Sequence, residues 1–131
     1  EPIYSVKDKK FSIINFEIKN NNNLTSQITK SLRAYENLEG ERKYNLEIEA
    51  KKNKVVTSKD SKGNIKSYRL IIECNYKIFE NDKNIKFKKI VESFNFSNSD
   101  NKFELRKYEV SIQKDLMAKI IDSIILDLYS L

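Results

Sequence analysis

Tyr68-Arg69-Leu70-Ile71-Ile72-Glu73-Cys74-Asn75-Tyr76-Lys77-Ile78-Phe79 places Tyr68, Leu70, Ile72, Cys74, Tyr76 and Ile78 at alternate positions. A period of two marks a β-strand with one buried face, so this stretch predicts a core-facing side and an outer side that carries Arg69, Ile71, Glu73, Asn75, Lys77 and Phe79. Cys74 falls on the core side. With no second cysteine and no histidine in the chain, its expected state is a buried, inert thiol. Ile71 and Phe79 are apolar residues on the polar side, a pattern that suits a wet partner interface.

Working outward, Ser58-Lys59-Asp60-Ser61-Lys62-Gly63-Asn64-Ile65-Lys66 reads as a hairpin turn in which Gly63 supplies the positive-φ position. Before it, Tyr44, Leu46, Ile48 and Ala50 alternate, which predicts a strand from about Lys43 to Thr57. After it, Glu80 to Asn84 turns the chain into a strand from Ile85 to Phe96. There Ile85 and Phe87 have one parity and Ile90, Phe94 and Phe96 the other, which a bulge near Lys88-Lys89 reconciles. Nearer the start, Phe11 to Ile18 is rich in β-branched and aromatic residues, with Ile14, Phe16 and Ile18 alternating, and forms strand one. The tract Asn20 to Asn23 can cap a short helix with Leu24, Ile28, Leu32 and Tyr35 on one face, ended near Gly40. From about Lys102, Tyr108, Ile112, Leu116, Ile120, Ile124 and Leu128 form a stripe of a long helix, with Asn101 and Glu104 as a capping pair. Ile121 and Ile125 widen that stripe, which fits a helix lying over a small sheet better than one on a membrane surface.

The order β-α-β-β-β-α predicts an α+β two-layer sandwich: a four-stranded mixed sheet covered on one face by two helices, as a single domain over residues 1–131. The crossover makes strands one and two parallel, and short turns make strands two, three and four an antiparallel meander. The asparagine loop, the 58–66 turn and the start of the last helix are then expected at one end, the N-terminus at the other.

Composition excludes several chemistries. The chain has no histidine, one cysteine and two glycines, so Ser/His and Cys/His nucleophile pairs, imidazole metal ligands and glycine-rich phosphate loops are absent. No cofactor is expected. Glu47 and Glu49 alternate along a charged strand between lysines, the pattern of a solvated face rather than of an acid–base pair. The net charge of +6 favours an anionic partner, although the lysine, asparagine and isoleucine bias is also that of an AT-rich genome. The local cluster is more telling: six lysines, Lys51, Lys52, Lys54, Lys59, Lys62 and Lys66, stand against Asp60 alone. No apolar run approaches the roughly 18 residues of a membrane span. Opening at Glu1 without methionine, the chain reads as a processed or trimmed product.

Three stretches resemble a known family, the LptE-type lipopolysaccharide-assembly lipoproteins. Glu1-Pro2-Ile3-Tyr4 is similar to the opening that follows the lipidated cysteine in such proteins. Tyr68 to Ile72 after a glycine-containing turn resembles their third strand. Val91-Glu92-Ser93-Phe94-Asn95-Phe96, a polar loop, Tyr108-Glu109 and Ile124-Ile125-Leu126-Asp127-Leu128 resemble their strand-to-helix junction and last helix. The resemblance implies four strands and two helices, no enzymatic activity, and an N-terminal lipid anchor to the outer membrane on residues absent from this chain. It also implies insertion into an LptD-type β-barrel and binding of lipopolysaccharide. Lipopolysaccharide-binding positions carried over by it are Lys59 or Lys62 at the turn and Arg106 or Lys107 near the start of the last helix, with Lys66 beside them. Lys62 stands where an arginine often precedes the turn glycine, giving a point charge in place of a bidentate fork. Ile71 and Phe79 are the barrel-facing candidates. The competing reading is a basic nucleic-acid-binding α+β module. It lacks an aromatic-basic recognition motif, and Tyr68 and Tyr76 alternate onto the helix-covered side, so no nucleic-acid partner is expected.

Overall fold

A computed structural model of the chain describes residues 11–20, 22–36 and 40–131. Its elements are β1 (Phe11–Ile18), α1 (Asn23–Leu32) continued by a 3₁₀ turn (Arg33–Tyr35), β2 (Arg42–Lys59), β3 (Ile65–Glu80), β4 (Lys83–Ser97) and α2 (Lys102–Ser130). The strands form one sheet in the order β1-β2-β3-β4. β1 is parallel to β2, and the other pairs are antiparallel. This is the expected α+β two-layer arrangement. The Glu1-Pro2-Ile3-Tyr4 opening and Asn21 lie outside the described residues.

The alternation of β3 is realised: Leu70, Ile72, Cys74, Tyr76 and Ile78 are all buried. They share one core with Tyr44, Leu46, Ile48 and Ala50 of β2, Leu24, Ile28 and Leu32 of α1, and Ile112, Leu116, Ile120, Ile124 and Leu128 of α2. Each fully buried Leu or Ile stabilises the fold by about 1.5–3 kcal/mol relative to an exposed one, so this shared face decides which side the helices cover. Asn22 caps α1 by accepting from Thr25 N at 2.8 Å, and Asn101 caps α2 by accepting from Glu104 N at 3.1 Å. Gly40 passes so close to β1 that a Cβ there would lie 2.2 Å from the Phe11 carbonyl carbon.

Four local expectations change. The alternation of β1 breaks at Ile14, where the register with β2 shifts between Ile13 and Asn15; Ile14 is left exposed, while Phe16 and Ile18 keep the core side but are thinly covered. The bulge of β4 is at Ile85 and not at Lys88-Lys89, because Ile78 pairs with Lys86 and Phe79 with Asn84. Phe87 therefore stands on the uncovered face. Tyr108 leaves the core stripe, half exposed, with its ring edge-on to Phe96 at 6.2 Å. Regular α1 stops at Leu32, well before Gly40.

The asparagine loop does not reach the hairpin end. Asn20 and Asn22 donate side-chain N–H to the Ala50 carbonyl at 2.9 and 2.8 Å, and Thr25 Oγ1 accepts from Ala50 N at 3.1 Å. Lys59 lies nine residues further along β2. The reason is length: β1 has 8 residues and β2 has 18. These side chains satisfy the edge of β2 where β1 leaves it. Beyond Ala50 no residue of β2 is buried.

Candidate functional site

Asp60 and Gly63 build the hairpin turn. Asp60 N donates to Asn64 O at 2.8 Å, Gly63 N donates to Asp60 O at 3.0 Å, and Gly63 adopts φ 86°, where glycine is favoured. The Asp60 carboxylate accepts from the backbone N–H of Lys62 and of Asn64, at 2.9 and 2.8 Å. The hydrogen bonds from Asn64, foremost, and from Lys62 hold this carboxyl below its ordinary pKa. The acid of this segment is thus committed to shaping the turn.

Exposed Lys59, Lys62 and Lys66 form no ion pair among the described residues, and neither does Arg106. Cations lower on the sheet behave differently. Lys51 is 3.4 Å from Glu73, Lys77 3.8 Å from Glu47, Lys89 3.4 Å from Glu73, and Lys54 3.0 Å from Glu109 of α2. The start of α2 is tied to the hairpin by Asn98, whose N–H donates to Lys66 O at 2.8 Å and whose side chain donates to Ile65 O at 2.9 Å. The last helix and the turn therefore share one end, as expected. Arg106 and Lys107 sit a turn into α2 beside Phe103, with the Lys107 ammonium 5.4 Å from the Phe103 ring centre. They belong to the same exposed stripe as Phe103 and Val110 rather than to the sheet-facing side that carries Ile112.

The uncovered face of the sheet is a second surface. Ile71 and Phe79 are both on it, partly buried, Ile71 between Asn53 and Ser93 and Phe79 between Asn45 and Asn84. Phe87 and Val91 of β4 join them, 60% and 51% exposed. Sequence reasoning missed Phe87, because parity alone could not place the β4 bulge; Val91, opposite in parity to Ile90, was not singled out. Glu47 and Glu49 line a trough of about 580 Å³ on this face with Lys19, Lys77 and Phe87. Glu47 is engaged by Lys19 at 3.6 Å and Lys77 at 3.8 Å, an ion-paired surface carboxylate. Among the described residues no group of His, Cys, Asp or Glu is placed to hold a metal, and no helix is long and apolar enough to cross a membrane.

Sequence reasoning also missed a polar contact within the covered face. Asp127 of α2 accepts from the Tyr76 hydroxyl and stands 3.6 Å from Lys86 and 3.3 Å from Lys88. Burial pushes its carboxyl above the usual pKa. It clamps the C-terminal part of α2 to β3 and β4.

This arrangement is that of a group of bacterial lipoproteins. Rare lipoprotein B from Shewanella oneidensis superposes with a TM-score of 0.69 at 15% identity, over 91% of this chain and 95% of that one. Lipoprotein B from Nitrosomonas europaea gives 0.69 at 11% identity, over 97% and 90%. A minor lipoprotein from Acinetobacter baumannii gives 0.66 at 11% identity, over 91% of each. The chain therefore has the LptE-like lipoprotein fold along nearly its whole length. No family model and no curated protein matches the sequence itself.

Proposed function

We propose that this chain is the globular domain of an outer-membrane lipoprotein of the LptE type, a non-enzymatic partner that binds lipopolysaccharide and plugs an LptD-type β-barrel. The observation that carries this reading is the cluster of cations without ion pairs among the described residues at the end of the β2–β3 hairpin, on a fold shared along nearly its whole length with bacterial lipoproteins. Lys59, Lys62 and Lys66 meet lipid A phosphates as point charges, and Arg106 and Lys107 extend the basic surface along the first turns of α2. The domain is held at the periplasmic side of the outer membrane by a lipid anchor on residues preceding Glu1. The uncovered sheet face with Ile71 and Phe79 lies against the barrel wall, where a mixed apolar and polar surface suits a wet interface.

The test is two captures with the purified chain. Immobilised lipopolysaccharide should retain it where neutral phosphatidylcholine vesicles and duplex DNA at equal ionic strength do not. The cognate barrel should co-purify with it, and an Ile71→Asp, Phe79→Asp variant should lose the barrel while keeping its circular dichroism spectrum. Retention on DNA in preference to lipopolysaccharide would replace the proposal with the nucleic-acid reading.

A further inference from the structure

One stripe of α2 runs through Phe103, Lys107, Val110, Lys114, Met117 and Ile121, alternately four and three residues apart, from an exposed ridge down to Met117, which is buried in the core. Phe103 and Val110 are 65% and 64% exposed. The stripe leads into a groove of about 540 Å³ between α1 and α2, with Val110, Met117, Ala118 and Ile121 as its apolar part and Lys30 and Lys114 among its polar residues. Met117 is 5% exposed, which puts the groove floor below the ridge.

Charge on α2 is sorted around this groove. Among the described residues no acidic side chain lines it, nor the more open depression of Phe103, Arg106, Lys107 and Val110. Of the five acids of α2, Glu109 turns to Lys54 on the sheet, Asp127 to Lys86 and Lys88, Asp115 lies in a different groove beside Phe94, and Glu104 and Asp122 are exposed outside the groove lining. α1 contributes Lys30 and no acid. Lys30 and Lys114 form no ion pair among the described residues. An apolar trough whose charged lining residues are Lys30 and Lys114, beside the neutral Gln27, Ser31 and Gln113, is complementary to a molecule with an apolar tail and an acidic head. Its concavity fits one chain, since a flat bilayer surface would touch the ridge of Phe103 and Val110 and leave the floor unfilled.

We propose that the α1–α2 groove binds the single acyl chain of an anionic amphiphile, the tail lying over Val110, Met117 and Ile121 and the acidic head held by Lys30 and Lys114. The inference needs neither the hairpin lysines nor a barrel. It therefore stands or falls separately from the lipopolysaccharide reading.

The experiment is an amide chemical-shift titration of the full chain with dodecyl phosphate below its micelle threshold. Saturable shifts at Gln27, Ser31 and Ala118 are expected. Val110→Asp, at an exposed position, and the pair Lys30→Glu with Lys114→Glu should each weaken binding by about tenfold or more. Lys59→Glu with Lys62→Glu should leave it unchanged. Equal shifts with inorganic phosphate would overturn the acyl-chain assignment, and equal affinity for dodecyl maltoside would overturn the anionic head. Binding to phosphatidylglycerol vesicles without binding to monomeric dodecyl phosphate would replace the groove with a membrane-docking ridge. Absence of saturable shifts along the groove would end the proposal.

Discussion

Tyr76 donates its phenolic hydrogen to Asp127, joining β3 to α2 through a polar contact set beside an apolar core. Tyr76 is 1% exposed, so its hydroxyl has no ready alternative in solvent. Tyr76→Phe should destabilise the domain by about 1 kcal/mol, the net worth of a typical hydrogen bond. Asp127→Ala should cost more, about 1–3 kcal/mol, because it strands the hydroxyl and leaves Lys86 and Lys88 facing each other uncompensated. Urea unfolding of the two variants checks the order; equal midpoints with wild type would remove the clamp from the account.

Cys74 is fully buried, and burial pushes its thiol pKa up to about 12. Only a trace is thiolate at pH 8, and that trace is shielded by side chains. A maleimide or disulfide reagent should label the native protein far more slowly than the protein in denaturant. Comparable rates in the two conditions would show that β3 opens readily.

Glu80 accepts two hydrogen bonds from Arg42, at 2.6 and 2.9 Å, where the start of β2 passes the end of β3. This pairing holds the Glu80 carboxyl below its ordinary pKa. The unfolded chain then binds the proton more readily, so the contribution is fully present above the ordinary glutamate pKa and is lost as pH falls through the lower folded value. Arg42→Gln should flatten that acid-side loss of thermal stability while leaving the neutral-to-alkaline profile parallel to wild type. An unchanged acid limb would mean that the pair is not formed in solution.

At the hairpin end, each exposed contact proposed with a phosphate would contribute about 1 kcal/mol or less, so single charge changes should be nearly silent. Lys59→Glu, Lys62→Glu and Arg106→Glu combined should abolish most retention on lipopolysaccharide, because repulsion replaces attraction at several points. Thermal unfolding should barely move, since all three side chains are exposed. Wild-type affinity at moderate salt in this folded variant would discard the site.

What could be read from the residues follows the physics of each element. The uninterrupted alternation of β3 and the four-residue stripe of α2 each had one way to bury their apolar side chains, and strand order followed from loop lengths. β1 and β4 were harder, since they border the sheet and each carries a bulge. A bulge shifts parity without a fixed residue signature, so Ile14 and Phe87 came out on unexpected sides. The basic turn was legible as charge. The Tyr76–Asp127 clamp and the cationic groove were not, because each joins positions on separate elements that no local pattern pairs.

The unequal lengths of β1 and β2 divide the molecule's evolutionary freedom. Because β2 buries no side chain past Ala50, residues at its tip such as Lys59 can change charge without disturbing a buried side chain. The recognition proposed at that tip is thereby uncoupled from foldability. The charge of the tip is free to change while the half anchored by the Ala50 contacts keeps the fold.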